Sequence, residues 1–231
     1  MSSAISNHKL IFVMGPPGAG KDTQADLLAS QFEMTRVRTS KLLEEKFNNA
    51  KPEDSNYLKL IEEKNKWHSG LLNSPNWVAS IINEKITDLA SKNQGIIFSG
   101  SPRILEEFKD EQPVFEKLFK KEEIIAFYIK LSEEESIKRN SKRLICEKSE
   151  HPIDPELVKQ NVQLCPQDGS KIVSRGDLDN PETIKVRLEE FLDRTMPVID
   201  YLKQIGIRVV EINGDQPIDK VHLDIVQYLY D

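Results

Sequence analysis

The sequence predicts an α/β protein: a three-layer sandwich around a five-stranded parallel sheet, with a glycine-rich loop after the first strand and two inserted segments. Three observations predict it. Short runs that are apolar throughout alternate with helical patterns, as strands buried on both faces between covering helices require. The first apolar run leads into Gly15-Pro16-Pro17-Gly18-Ala19-Gly20-Lys21-Asp22-Thr23, and a helical pattern follows at once. Two longer stretches, 40–74 and 146–176, break the alternation.

Taken in order, residues 10–14 (Leu-Ile-Phe-Val-Met) form the first strand, and 21–32 the helix that the glycine loop opens. A weaker strand is expected at 35–38. Residues 40–74 are polar and helix-like, with Leu42, Leu43, Phe47, Tyr57, Leu58 and Ile61 as the apolar positions. A helix at 77–90 leads to a strand at 95–99, a helix at 105–119 to a strand at 124–131, and a helix at 133–143 follows. Residues 146–176 hold His151, Pro152, Pro155, Pro166, Gly169 and Gly176 with little periodicity, as a lid or small inserted unit does. A helix at 182–204, a strand at 207–212 and a helix at 218–230 complete the pattern. Right-handed crossovers then place ligands at the carboxyl ends of the strands. Trp67 and Trp77 flank Gly70 and are expected to pack rather than to stack on a ligand.

With 231 residues the chain is long enough for a full core, and 38% hydrophobic and 30% charged residues describe a polar globular protein. A net charge of -6 and a pI near 5.4 argue against a nucleic-acid-binding surface. The first residues lack the apolar centre of a signal peptide, and no apolar run has bilayer length, so no membrane partner is expected. Two cysteines, Cys146 and Cys165, are no disulfide framework. These features predict a soluble cytoplasmic protein, expected to be a monomer, whose partners are small molecules.

The glycine loop carries the chemistry. Between a strand and a helix, Gly15, Gly18 and Gly20 let backbone N–H groups converge on phosphate oxygens, and the helix N-terminus adds partial positive charge. Pro17, Ala19 and Asp22 complete the cradle. Lys21 is placed for the β- and γ-phosphates, and Thr23 for positioning Mg²⁺. A nucleoside triphosphate ligand follows. The residue after the lysine is usually Ser or Thr in such loops, whereas here it is Asp22 and the Thr comes one place later. An added carboxylate beside phosphates is tolerable where it faces solvent or the metal.

Gly-x-Pro-Gly-x-Gly-Lys-x-Thr-Gln resembles the adenylate kinase branch of the nucleoside monophosphate kinases, and the resemblance extends over nearly the whole chain. It implies a core of residues 1–38, 94–145 and 177–231, an acceptor-binding insertion at 39–93 and a lid at 146–176. The implied reaction is transfer of the γ-phosphoryl group of Mg·ATP to a nucleoside monophosphate, AMP foremost (ATP + AMP to 2 ADP). Arg103, in Ser99-Gly100-Ser101-Pro102-Arg103, matches the arginine that holds the acceptor phosphate. Arg139 and Arg143, expected on one helix face, match the pair on the donor nucleotide and the moving phosphoryl group. Arg175 and Arg187 match the arginines that close over the reaction. Asp177 and Asp179 resemble the family's acidic pair with one residue inserted, and Asn213-Gly214-Asp215 the loop at the donor base, placing Gly214 in the donor site. Such a cation set suits phosphoryl transfer, in which the protein positions groups and neutralises charge, and arginine binds phosphate bidentately.

The acceptor side departs from the family. Thr39, Leu43 and Gly100 occupy acceptor-site positions. Arg38-Thr39-Ser40-Lys41-Leu42-Leu43-Glu44 stands where Ser-Thr-Gly-Asp-x-Leu-Arg is usual, so Glu44 replaces a phosphate-binding arginine and Lys41 an acid. Ser99 replaces the aspartate that orients metal-bound water, Ser101 a phenylalanine, and Glu107 the glutamine that reads the adenine edge. The expectation is that a neighbouring cation (Lys41, Arg38 or Lys46) replaces the lost contact, with Arg36 a weaker candidate inside its strand. A kinase for a different acceptor and a nucleotide-binding regulatory protein with weak catalysis are the alternatives. The lid has Cys165-Pro166-Gln167-Asp168, as in the zinc-bearing members, but Cys146 lacks its second cysteine. Cys146, His151, Cys165 and Asp168 form a candidate zinc set; a lid held by hydrogen bonds among Cys146, Ser149, Cys165 and Asp168 is the other reading.

Overall fold

The computed structural model describes residues 7–68, 73–148, 152–160, 162–174 and 176–230. Its centre is β1 (Leu10–Met14), buried at every position because it is covered on both faces. It pairs in parallel with β3 (Ile96–Ser99) on one side and with β4 (Ile124–Lys130) on the other. β2 (Thr35–Val37) adds beyond β3 and β7 (Arg208–Asn213) beyond β4, giving a parallel five-stranded sheet in the order β2-β3-β1-β4-β7. The register pairs Val13 with Ser99 and Met14 with Tyr128, so the loops after β1 and β3 open at the same edge.

Alternation along β1 sorts the core into two layers. Phe12 points to one face and meets Phe98 (centroids 5.6 Å, stacked) and Phe115 (5.6 Å, edge-on). That face is covered by α4 (Pro75–Ser91), α5 (Leu105–Leu118) and α9 (Met196–Gln204). Ile11 and Val13 point to the other face, where α1 (Lys21–Gln31) and α10 (Ile218–Val226) supply Ala25, Leu28, Val221 and Ile225. The five expected strands and the expected fold class are present, with ends displaced by a residue or two.

Three differences from the sequence-based expectation have physical causes. The helix expected over 182–204 is α8 (Pro181–Glu190) followed by a π-helical turn at Phe191–Thr195 and then α9. Pro197 lies in the first turn of α9 and has no N–H to donate, and the ladder widens just before it. α6 (Glu133–Ser141) stops short of Arg143, so Arg139 and Arg143 do not share a helix face. The stretch expected to be irregular contains an antiparallel pair, β5 (Leu144–Cys146) with β6 (Ile172–Ser174), and a short α7 (Pro155–Lys159).

The polar stretch before α4 forms α2 (Thr39–Asn49) and α3 (Tyr57–His68). Phe47 holds this arm together, stacking on Trp77 at 5.6 Å and meeting the Trp67 edge at 6.0 Å. Both tryptophans therefore pack, as expected. Glu63 is buried inside the arm and accepts hydrogen bonds from Ser74 N (2.9 Å), Ser74 Oγ (2.6 Å), Asn73 Nδ2 (3.0 Å) and Lys66 Nζ (2.9 Å). Burial alone would raise its pKa, but these donors hold the carboxyl far below the usual range.

Candidate active site

The phosphate loop runs from Gly15 to Gly20 between β1 and α1. Gly15, Gly18 and Gly20 all have positive φ, and Gly20 (φ 83) is the N-cap of α1. Gly15 and Gly18 also have no room for a side chain. A Cβ on Gly15 would lie 2.5 Å from the Ile129 carbonyl oxygen, and one on Gly18 2.6 Å from Asn140 Nδ2. The loop is braced from α6: Ser136 Oγ, fully buried, donates to the Pro17 carbonyl at 2.7 Å. Asn140, also fully buried, packs against Gly18 and donates to the Ser136 carbonyl at 2.8 Å. Ser136 and Asn140 are support residues that the sequence reading missed. The only local signal was their i, i+4 spacing on a helix otherwise rich in charge.

Lys21 folds back over the loop and donates to the Pro16 carbonyl at 2.8 Å. Burial lowers its pKa, Asp22 opposes that, and Arg103, Arg187 and Arg143 lower it further, down to about 8. Three arginines distant in sequence, Arg103 and Arg143 from loops and Arg187 from α8, are thus near enough to repel the loop lysine. This cation cluster has the right sign to receive a polyphosphate. Arg143 is held by Asp179 through two bonds (Nη2 at 2.6 Å, Nε at 3.1 Å), and Arg187 lies 3.6 Å from the same carboxylate. Arg103 donates to the Gly100 carbonyl at 3.0 Å and remains exposed. Arg139 donates to the Gly214 carbonyl (2.9 Å) and to Glu135 (2.9 Å). It lines an open cavity of about 470 Å³ with Asp215, Gln216 and Pro217. Arg175 lies outside the described residues.

Asp22 points toward the end of β3. Its Oδ1 accepts from Ser99 Oγ at 2.9 Å and pairs with Arg36. Burial would raise its pKa, but Arg36, Lys21, the Ser99 hydroxyl and Arg38 outweigh that and hold the carboxyl below its ordinary value. Arg36 also donates to Asp26 at 2.6 Å. It lies inside β2, as expected, and is engaged by carboxylates on α1.

On the acceptor side, α2 starts at Thr39, whose Oγ1 is buried without a partner, and Leu43 is buried below it. Lys41 and Glu44 form an exposed ion pair (2.7 Å), a reversed version of the Asp/Arg spacing that the family pattern has there. Lys46 is bound to Glu84 at 2.7 Å, whereas among the described residues Arg38 has a single long side-chain contact, 3.4 Å to Asp26. Glu107 is buried on α5 and accepts from Ser101 Oγ at 2.9 Å; burial raises its pKa against that bond. One turn on, Glu111 is 1% exposed, and its Oε1 has no hydrogen-bond partner among the described residues.

In the lid, the ligating atoms of Cys146, Cys165 and Asp168 lie within 4.8 Å of one another. Cys146 Sγ donates to Asp168 Oδ2 at 3.3 Å, and Ser170 fixes the other oxygen at 2.7 Å. His151 and Ser149 lie outside the described residues.

A glycine loop braced from behind, a lysine inside it and converging arginines define a P-loop phosphotransferase. The family pattern described as adenylate kinase matches residues 13–207. A protein named adenylate kinase from Mycoplasma capricolum subsp. capricolum is 32% identical over 206 residues, 89% of this chain and 91% of its own. Proteins of the same name from Mesomycoplasma hyopneumoniae strain J (97% of this chain, 99% of the relative) and Staphylococcus epidermidis (95% and 98%) are each 29% identical. The chain belongs to the adenylate kinase family and is a nucleoside monophosphate kinase.

Proposed function

We propose that this chain catalyses ATP-dependent phosphoryl transfer to AMP with Lys21, Arg103, Arg139, Arg143, Arg175 and Arg187 as its working cations. The observation that carries the reading is the cation cluster around Lys21, whose pKa is lowered first by burial and then further by Arg103, Arg187 and Arg143. ATP is bound by the loop Gly15, Pro17, Gly18, Ala19 and Gly20, whose non-proline residues supply backbone N–H groups and whose shape Pro17 fixes, together with the Lys21 amine and the first turn of α1 at Asp22 and Thr23, and its nucleoside part lies against Arg139 and Gly214. The acceptor is held by Arg103, with Thr39, Leu43, Gly100 and Glu107 around its base and sugar. Arg38 replaces the arginine lost at Glu44: it is the least engaged of the candidate cations, and it caps α2, whose N-terminal amides favour an anion.

The work of the chain is positioning. Lys21 lies along the β/γ bridge, and Arg143 and Arg187, both anchored on Asp179, hold the transferring group. The oxygen donors Thr23 and Asp22 suit a hard cation; among the described residues the Thr23 hydroxyl and Asp22 Oδ2 have no hydrogen-bond partner. Magnesium brought with the nucleotide neutralises charge on the β- and γ-oxygens. Residues 1–38, 94–145 and 177–231 act as the core, 39–93 as the acceptor arm and 146–176 as a lid that excludes water on closing. Cys146, Cys165, Asp168 and His151 would hold a zinc ion, which would staple that lid, a reading supported by the convergence of the first three.

A coupled assay with a panel of nucleoside monophosphates tests the reading. AMP is expected to be the best acceptor, and Lys21→Ala to cost on the order of 10³-fold in rate with the fold intact. Turnover with no member of the panel, despite tight ATP binding, supports the regulatory alternative instead.

A further inference from the structure

Asp22, Ser99, Arg36 and Asp26 form one bonded group at the carboxyl edge of the sheet. Arg36 is nearly buried (side chain 7% exposed) and donates Nη1 to Asp26 Oδ1 at 2.6 Å. Its Nε and Nη2 donate to Ser99 Oγ at 3.1 and 2.9 Å. The hydroxyl, with its acceptor side taken, donates its proton to Asp22 Oδ1 at 2.9 Å, the atom that also pairs with Arg36. One carboxylate oxygen is therefore anchored twice. The other, Oδ2, has no partner among the described residues, and the side chain is 60% exposed.

The position of this half-anchored carboxylate decides what it can serve. It lies between Lys21, which faces the phosphates, and Thr23, whose hydroxyl makes no hydrogen bond within the described residues. Arg36 offsets the carboxylate charge only in part, because the one guanidinium is shared between Asp22 and Asp26 and is fixed by Ser99, and the uncovered Oδ2 still repels a bare polyphosphate. The charge is an asset only toward a cation that arrives with the nucleotide. Magnesium keeps several of its waters when bound to phosphates, and a fixed carboxylate oxygen accepts hydrogen bonds from them.

We propose that Asp22, anchored by Ser99 and Arg36, is the metal-side positioning residue of this chain. The inference rests on the donor-site assignment made above. Ser99 stands where an aspartate is usual, so the carboxylate has moved from the end of β3 to the head of α1 while remaining one hydrogen bond from its former place. Asp22 and Ser99 form an exchanged pair, and neither departure from the family pattern is independent of the other.

The test uses the full chain, with Mn²⁺ as a paramagnetic stand-in and ATP as the nucleotide. Electron paramagnetic resonance gives the affinity of Mn²⁺ for the protein–ATP complex, and calorimetry in chelator gives the affinity for metal-free ATP. Asp22→Asn, which keeps the shape and removes the charge, is expected to weaken Mn²⁺ binding roughly tenfold. Metal-free ATP is expected to bind as well as before or better. The double exchange Asp22→Gly with Ser99→Asp returns the carboxylate to β3 and is expected to recover most of the Mn²⁺ affinity, which also covers the case in which Asp22→Asn fails to fold. Unchanged Mn²⁺ affinity in Asp22→Asn, equal weakening with and without metal, or no recovery in the double exchange overturns the proposal. A wild-type chain that binds no Mn²⁺·ATP overturns the donor-site assignment itself and this inference with it.

Discussion

Lys21 pairs a catalytic requirement with an electrostatic cost. Its amine must be charged to hold phosphate, yet burial and three arginines lower its pKa to about 8. In the free protein the charged, binding-competent fraction is nearly complete below pH 7 and falls as pH rises through 8. At pH 9 about a tenth of the molecules remain competent, so the dissociation constant for ATP is expected to rise about tenfold between pH 7 and 9. Calorimetric titration at three pH values checks this; a flat profile contradicts the depressed lysine. In the proposed site the acceptor phosphate rests on a different cation. Arg38→Ala is expected to raise the KM for AMP roughly tenfold with little change in kcat, as loss of a charged phosphate contact does. Lys41→Ala is expected to change little, since Lys41 is already spent on Glu44. Steady-state kinetics on the two variants separates them, and a reversed order assigns the acceptor phosphate to Lys41.

The two segments proposed above as acceptor arm and lid are stabilised by different means. The arm turns on Glu63, a buried carboxylate that receives the Ser74 N–H and hydroxyl, the Asn73 amide and Lys66. Glu63→Ala leaves those donors unsatisfied and is expected to cost about 3 kcal/mol. The melting temperature falls by on the order of 10 °C, while ATP affinity is retained because the phosphate loop is braced from α6. Among the described residues, the proposed lid has a small cluster of its own, Cys146, Ile153 and Cys165 with a few partly buried neighbours. If zinc supplements it, protein purified without chelator carries about one zinc per chain, and Cys165→Ser removes it. Elemental analysis of both proteins checks this, and a metal-free wild type with an unaltered melting curve on adding zinc favours the hydrogen-bonded lid.

Across the whole molecule, stability carries an acid–base signature from α5. Burial, with Glu107 and Asp110 nearby, raises the Glu111 pKa well above its ordinary value. The sign follows from linkage. In the unfolded chain the group ionises near pH ~4.3, in the folded chain at higher pH, so its contribution is favourable at low pH and is lost as pH rises toward the folded pKa. Glu111→Gln keeps the shape without the charge and is expected to stabilise the protein by about 1–2 kcal/mol at pH 8. The gain should shrink toward zero near pH 5. Melting curves of wild type and variant across that range check it; a constant offset contradicts the assignment.

The strands of the parallel sheet and the glycine loop were legible in the sequence because each is written locally. A buried parallel strand must be apolar throughout, and the cradle needs glycine at positions where a Cβ would meet backbone or a packed side chain, as at Gly15 and Gly18. The expected helix over 182–204 failed where one proline altered the ladder without ending it, a choice made by packing against the sheet. Family likeness supplied the arginines, but the end of α6 before Arg143, and the convergence of Arg103, Arg143 and Arg187 on Lys21, appear only in three dimensions. The bond from Ser136 to Pro17 joins residues 119 apart, and that from Ser99 to Asp22 joins residues 77 apart. By itself the sequence showed Asp22 and Ser99 as two separate oddities. Only the tertiary structure made them one device, because a hydrogen bond between distant residues leaves no periodicity along a single chain.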